Sequence, residues 1–534
     1  MEVNVLYVAA IIAAVVFIYR RLSKDRNYFL EKPIPSMEWT PVFGSTAPLM
    51  MKKITFNDFA KSIYDRFAGV KVFGMFDTMT RIFVLRDPEL IKKVAVKDFE
   101  YFIDRRPVFG DSSEDSASTF LSKTLVGLRD QKWRHMRATL SPAFTGSKMR
   151  AMFDLIVEYG NQMDDILRKE AAPEGHIDYE MKDLFSRIAN DIIATCAFGL
   201  QVESLDSREN EFYMTGKSLT NFTGVTMLLR VLAIRFFPKL SSSLGIDIMD
   251  KQKVRYFYGI IEEAMRTREA QGIVRPDMIH LMMQAKKGVL RHTAEETESG
   301  AGFATVEESD VGKALIDMTL TDPELMAQCL IFFLAGFDTI STSMTFLSYE
   351  LALHPQVQQK LYEEIAHTNK QLGGKAITYE TLQHMKYMDM VVSESLRIWS
   401  PPAIDRVCVR DYVLDDGEGL RFTIDKGTCV WFPIHGIHMD PKYYPQPEKF
   451  DPERFSATNR ANIDTSTYMP FGVGPRNCIG SRFALMEMKA IMYQLLLNFS
   501  IERTEQTQVP VRLLKGFVAF ASEKGVHLRL KLRS

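Results

Sequence analysis

Cysteine is scarce in this chain: five residues in 534, at positions 196, 329, 408, 429 and 478, with no Cys-x-x-Cys pair among them. An odd count without paired spacing excludes a disulfide framework and suits a reducing compartment. Excess charge of one sign is also missing, since 66 Lys+Arg oppose 67 Asp+Glu for a net charge of -1. Nothing in that balance points to nucleic acid, and any steering of a charged partner must come from a local patch. No internal repeat is present. His435 and His438 stand at zinc-like spacing, yet no third ligand and no His-Glu-x-x-His pattern goes with them, so they read as satisfied loop histidines. Gly472-x-Gly474 does not complete a dinucleotide fingerprint, because Asn477 occupies the third glycine position and no βαβ pattern surrounds it.

What is present is apolar bulk. At 46% hydrophobic the chain can bury a large core, and length alone predicts two or more domains. Residues 3–19 are almost wholly apolar and are followed by Arg20, Arg21, Lys24 and Arg26. That segment reads as a single membrane span at the lower limit of length, with Leu22 able to extend it. Only Met1 and Glu2 precede the run, which disfavours a cleaved signal peptide, and a buried core helix fits the charge asymmetry poorly. The basic cluster after the span places the bulk of the chain in the cytoplasm. The expected organisation is an anchor over 1–22, a basic and proline-rich linker over 23–44, and the body over 45–534. Pro33, Pro35, Pro41 and Gly44 make the linker a semi-rigid spacer.

The body reads as mainly helical. Apolar residues recur at three and four over 148–170, 251–271 and 356–371, whereas strand-like pieces are short: 71–76, 81–85, 429–432 and 526–532. Residues 291–313 are polar, acidic and rich in Gly and Thr, the pattern of a surface loop. Residues 218–244 carry Met227-Leu228-Leu229 and Phe236-Phe237 with scattered basic side chains. They suit a helix dipping into a membrane surface, a pocket wall or an ordinary core helix alike.

Four motifs carry chemistry. In Phe471-Gly472-Val473-Gly474-Pro475-Arg476-Asn477-Cys478-Ile479-Gly480, one cysteine precedes the apolar-periodic stretch that begins at Phe483. Gly474 and Gly480 can take positive φ or admit a flat ligand to the backbone, and a helix N-terminus stabilises a negative sulfur. The alternative is a buried structural cysteine beside a turn. Residues 325–351 form a long apolar run opened by a Thr321-x-x-Glu324 capping box with Pro323 in its first turn. Ala335-Gly336-Phe337-Asp338-Thr339 interrupts it with residues that cost helix stability and therefore ask for a reason. Glu394 and Arg397 lie three apart on one helical face, and Trp133 and Arg137 four apart on another.

The cysteine segment resembles the haem-thiolate signature of the cytochrome P-450 family, Phe-x-x-Gly-x-Arg-x-Cys-x-Gly, at every fixed position. The other motifs match the family in order: Trp-x-x-x-Arg at 133–137, Ala/Gly-Gly-x-Asp/Glu-Thr at 335–339, Glu-x-x-Arg at 394–397, and Pro-Glu-Arg-Phe at 452–455. The likeness spans about residue 30 to the end and is greatest to insect microsomal family-9 enzymes, kin to vertebrate family-3 drug-oxidising enzymes. It implies one mainly α domain with a smaller β-rich lobe behind an N-terminal transmembrane helix, which overrides the two-domain expectation.

The same resemblance implies the roles. Cys478 would be the axial ligand of haem b, with Gly474 and Gly480 shaping its loop, Gly472 beside the cofactor and Phe471 guarding the sulfur. Trp133, Arg137 and Arg476 would hold the propionates. Arg406 is a further candidate there, with a surface salt bridge to Asp405 or another acid as its alternative. Ala335 and Gly336 would face the haem, Gly336 leaving room for a diatomic ligand. Asp338 and Thr339 would relay protons, the alternative for Thr339 being a bond to its own helix backbone. Ile340 stands where many members carry a second hydroxyl, so the resemblance does not extend to an auxiliary relay through that position. Glu394, Arg397 and Arg454 would form a buried structural triad, although Glu394 and Arg397 alone would read as a solvated surface pair. Phe109, Phe120, Phe222, Phe332, Phe333 and Phe517 fall in regions that line the pocket in relatives. Lys132, Arg134 and Lys148 form either a docking face for an acidic electron donor or a plain solvated face.

The implied activity is insertion of one atom of molecular oxygen into a lipophile, a xenobiotic such as an insecticide or an endogenous compound, at the endoplasmic reticulum membrane. Electrons would come from NADPH through NADPH-cytochrome P-450 reductase, with cytochrome b5 as a further partner, because no flavin or dinucleotide fingerprint is present. A haem-thiolate isomerase or dehydratase acting on peroxides is an alternative, disfavoured by the Asp338-Thr339 pair, and a non-catalytic membrane-anchored haem sensor is another.

Overall fold

A computed structural model describes residues 23–533 except 107–119, 221–223, 276, 288–301, 306–319 and 518–519, together with residues 7, 12, 13, 16, 19 and 20. The centre is the helix Asp322–Leu353, which opens with the expected capping box: the Thr321 N–H donates to the Glu324 carboxylate at 3.0 Å. The hydroxyls of Ser341 and Thr345 are compatible with burial because they bond back to their own helix, Ser341 Oγ to Phe337 O (2.7 Å) and Thr345 Oγ1 to Ser341 O (2.7 Å). Against it pack the helices Met181–Ile193 and Ser481–Asn498, and beside these lie Gly146–Ala171, Lys251–Gln271 and Pro355–Leu372. The last three extend the periodic stretches read at 148–170, 251–271 and 356–371 by at most a few residues.

The β-rich part is small. Strands β1 (Val72–Asp77) and β2 (Thr80–Leu85) pair antiparallel, with β3 (His176–Glu180) elsewhere in the molecule; β4 (Ile404–Val407) and β7 (Cys429–Phe432) complete the order β1-β2-β7-β4. β2 and β7 run parallel with Phe83 opposite Val430. Strands β5 (Tyr412–Asp415) and β6 (Arg421–Ile424) form a hairpin, and β8 (Phe499–Arg503) and β9 (His527–Leu532) join β3. One extensive core takes residues from Phe99 to Leu530, and two smaller clusters lie on either side of the sheet. The two-domain expectation from length therefore fails: elements from Phe99 onward share one core, and β1 and β2 join it through the sheet they share with β7 and β4.

Three expectations meet the structure differently. Within 291–313, read as a surface loop, residues 302–305 are docked onto the body, with Ala304 buried; the remainder lies outside the described residues except for these four. In 218–244, read as membrane-dipping, a pocket wall or core, the side chains of Leu229, Phe237, Leu240 and Leu244 are exposed while Leu219 is buried. The span over 3–19 falls largely outside the described residues; those described are helical, with Tyr7, Ile12, Val16 and Tyr19 exposed. Among the described residues the one helix long and apolar enough to cross a membrane is Asp322–Leu353, most of it buried inside the protein.

Candidate active site

Cys478 sits in a loop closed on itself, its N–H donating to Phe471 O at 2.9 Å and that of Asn477 to Gly474 O at 2.9 Å. Gly472 and Gly474 have φ of +83° and +73°, and a Cβ on Gly474 would strike the Ala95 carbonyl, so a side chain is barred there twice over. Gly480 needs no such freedom: it has φ -92° and caps the helix Ser481–Asn498, two residues beyond the sulfur. Cys478 is exposed although Arg476 and Asn477 before it are buried.

Behind the loop lies an unusual store of positive charge. Arg476 donates from Nε to Ile103 O (2.7 Å) and from Nη2 to Leu128 O (2.8 Å), and its guanidinium lies 4.2 Å from the centre of the Trp133 ring. Arg137, one turn on from Trp133, spends both Nη groups on Asn477, at 3.0 Å to O and 2.9 Å to Oδ1, which fixes the residue before the cysteine. Arg406, fully buried on β4, donates to Val473 O at 3.0 Å, so it is not the surface salt bridge offered as its alternative. Arg105, unsuspected from the sequence, donates to Arg476 O at 2.7 Å.

Burial and then mutual repulsion pull the Arg476 and Arg406 guanidiniums down to about 8 and about 9, and burial lowers Arg105 as well. Asp104, 3.5 Å from Arg476, and Asp405 are the acids that offset them. The Nε atoms of Arg105 and Arg406 are buried without a hydrogen-bond partner among the described residues. Buried guanidiniums in excess, with donors left over, fit a dianionic ligand beside the cysteine, and the two carboxylates of a haem supply that charge.

On the central helix, Ala335 and Thr339 are exposed on one face while Leu334, Phe337 and Ile340 are buried. Thr339 Oγ1 donates to Ala335 O at 2.6 Å, the self-bonded arrangement offered as its alternative, so its lone pairs are what it presents outward. Gly336 corrects an expectation. A Cβ there would point at Ile193 Cδ1, 2.9 Å away on the neighbouring helix, so the missing side chain makes room for helix packing rather than for a diatomic ligand. Asp338 is held by Lys182, whose ammonium donates to its Oδ1 at 2.9 Å and its backbone O at 2.8 Å. Sequence reading missed Lys182 because one lysine far away in the chain leaves no local pattern.

The charge triad forms. Arg397 donates to Glu394 Oε2 from Nε (2.7 Å) and to Oε1 from Nη2 (2.9 Å), both side chains fully buried, and Arg454 Nε reaches Glu394 Oε1 at 3.2 Å. Arg397 also donates to His438 O and Pro447 O, each at 2.7 Å, and the solvated-pair alternative is thereby excluded. His438 is committed to the chain, its Nε2 accepting from Met469 N at 2.9 Å, and His435 lies 3.3 Å from Ser400 Oγ.

The expected pocket residues divide. Phe109 and Phe222 lie outside the described residues. Phe120 and Phe332 are buried, Phe120 6.3 Å from Tyr258 and Phe332 5.4 Å from Phe144, whose ring also approaches Gly480. Phe333 is fully buried in an aromatic cluster with Phe198, Phe212, Phe257 and Phe337, and Phe517 is exposed against Phe56. Of the basic face, Lys132 is exposed, while Arg134 is engaged with Glu100.

Comparison with known proteins places these features in company. The family model for cytochrome P-450 matches residues 35–528. Cytochrome P-450 9e2 of Blattella germanica is 43% identical over 96% of this chain and 95% of its own length. The probable cytochrome P-450 9f2 of Drosophila melanogaster is 39% identical over 98% of each, and cytochrome P-450 3A14 of Cavia porcellus 32% over 94% of this chain and 92% of its own length.

Proposed function

We propose, because this chain belongs to the cytochrome P-450 family, that it is a membrane-anchored monooxygenase that oxidises large lipophiles with Cys478 as the thiolate ligand of haem b. The chain is a P-450 monooxygenase; the ligand assignment, anchor, electron source and substrate class are our reading. The observation that carries it is the exposed cysteine backed by the buried guanidiniums of Arg406 and Arg476 and by half-buried Arg105, the Nε donors of Arg105 and Arg406 being buried and unused among the described residues.

When bound, the haem supplies oxygen activation, with the thiolate pushing electron density toward the iron. The chain does the rest. Arg476 and Arg406, with Arg105, would bind the carboxylates, and Trp133 orients Arg476 by lying under its guanidinium. Phe471 accepts the cysteine's N–H and shields that side of the loop. Thr339 Oγ1 and the Asp338 carboxylate would pass protons inward, with Lys182 fixing the carboxylate. Residues 1–22 would anchor the protein in the endoplasmic reticulum membrane, and exposed Leu229, Phe237, Leu240 and Leu244 would rest on the same surface. Electrons would arrive from an NADPH-dependent reductase, with cytochrome b5 as a second donor. Buried Phe120 and Phe332 favour an apolar substrate, xenobiotic or endogenous.

The test is the optical spectrum of the reduced carbon monoxide complex. Haem-loaded protein should show the strongly red-shifted Soret band of thiolate ligation, and C478A should abolish it. A well-folded, haem-loaded protein without that band would sink the reading. Brisk peroxide rearrangement without NADPH-dependent turnover in the presence of reductase would put an isomerase in its place.

A further inference from the structure

Residues 302–305 lie outside every family motif, yet they contact Tyr468, which leads into the cysteine loop, and Asp389, which bonds the helix that follows it. The Phe303 N–H donates to Asp389 Oδ2 at 2.9 Å, and Asp389 Oδ1 accepts from Lys489 Nζ at 2.8 Å. Lys489 is buried more than two turns into the helix Ser481–Asn498, which leaves the cysteine loop, so Asp389 ties the segment to the body of that helix. The Phe303 ring packs against Phe455 (4.9 Å between centres) and Tyr468 (5.0 Å), with the Arg460 guanidinium 5.0 Å from its centre. Tyr468 stands at the loop's entrance. It stacks on His438 at 5.5 Å and 14°, and His438 holds the N–H of Met469, two residues before Phe471. The fit is close: a Cβ on Gly302 would land on the Asp389 carboxylate, Ala304 is buried, and the Thr305 N–H returns to Gly302 O at 3.0 Å.

We propose that Gly302–Thr305 is an internal clasp that holds the cysteine loop in the geometry a thiolate ligand needs, with Phe303 as its positioning residue acting through Tyr468 and Asp389. The clasp rests on the assignment of Cys478 as the haem ligand. Its logic is geometric. A loop of tight turns keeps a sulfur in place only if both stems are fixed; the Glu394-Arg397-Arg454 cluster fixes the outer turns at His438 and Pro447, and the Tyr468 hydroxyl donates to Ser393 O at 2.9 Å on the entrance side. The clasp supplies the cross-link between the stems, half of it aromatic packing and half a charge-backed hydrogen bond.

The test uses full-length holoprotein and follows the red-shifted band of the reduced carbon monoxide complex with time at fixed temperature. In F303A the band should decay to its thiol-ligated position about tenfold faster than in wild type, which corresponds to ~1.4 kcal/mol. Total haem and the far-ultraviolet circular dichroism melting midpoint should stay at wild-type values, and F303L, which keeps the apolar bulk, should restore most of the lifetime. Equal decay in F303A and wild type overturns the clasp. So does an F303A chain that fails to fold, or one whose melting midpoint falls in step with the band, because residues 302–305 would then be general core. Wild-type protein with haem but no red-shifted band would instead overturn the thiolate assignment beneath the proposal.

Discussion

Lys182 brings one ammonium to Asp338 O (2.8 Å), Asp338 Oδ1 (2.9 Å), Ser341 Oγ (2.8 Å) and Thr342 Oγ1 (2.6 Å). An ammonium has three protons, so at least one is shared, and the group is committed to this stretch of the central helix. Burial pulls Lys182 below its usual range, and the Asp338 carboxylate pulls it back up. If Lys182 holds Asp338 for proton delivery, K182M should lower product formed per NADPH oxidised by about tenfold, below the range usual for a directly acting proton-transfer group. D338N, which removes the proton-passing group itself, should fall further, and the double variant no further than D338N, since Lys182 acts only through Asp338. Product and NADPH measured together in the reductase-coupled reaction decide it, and additive losses would separate the residues. Cys478, Trp133, Arg137 and the Glu394-Arg397 pair were legible because their chemistry fixes a spacing along one turn or one loop. Lys182 and Arg105 were not: each reaches a partner far along the chain, and a lone cation carries no local signature.

The central helix shows what a sequence pattern settles about an element and what packing must add. Its start was legible, because a capping box is written within four residues, and the buried hydroxyls of Ser341 and Thr345 bond to the helix's own carbonyls. The duty of Gly336 was hidden, because it depends on which neighbour lies across the groove. Gly to Ala in a helix interior gains about 1 kcal/mol of propensity. Displacing Ile193 Cδ1, the far end of a flexible side chain, costs roughly 0.5–1.5 kcal/mol in rotamer strain. G336A should therefore unfold in urea within ~1 kcal/mol of wild type and keep its coupling, whereas A335V, which adds bulk on the exposed face, should lower turnover at unchanged stability. Intact stability with lost coupling in G336A would return that glycine to the haem side. Among the strands, β7 was read to the residue because Cys-Val-Trp-Phe is apolar throughout. β3, β4, β5, β6 and β8 escaped, since His-Ile-Asp-Tyr-Glu and its like are short, mixed segments that become strands only when a partner supplies their hydrogen bonds.

At the scale of the molecule, length misleads and buried ionisable groups inform. A single core running from Phe99 to Leu530 places polar groups where no solvent offsets their charging. Burial, with Arg397 nearby, pushes His438 down to about 3, and burial pushes His435 down to about 4. Both stay neutral in the fold, while the unfolded chain takes up protons below about pH 6.5, so their stabilisation is lost as pH falls through that value. Glu350, at the far end of the central helix, has the opposite sign. Burial raises it from 4.5 to about 7, with Glu394 adding to the rise and the Trp399 indole N–H, 3.0 Å away, opposing it. Its contribution is complete below about pH 4.5 and is lost as pH climbs through 7, and buried Glu487, raised well above its usual range, acts in the same direction. E350Q keeps an oxygen for Trp399 and cannot ionise. Relative to wild type it should gain stability as pH rises from about 4.5 to about 7 and then hold level, by at most ~3 kcal/mol. Urea unfolding of both proteins at about pH 5 and about pH 8 checks the sign: the gap should open in favour of the variant at the higher pH, and an equal gap at both would mean that Glu350 is already ionised in the folded protein.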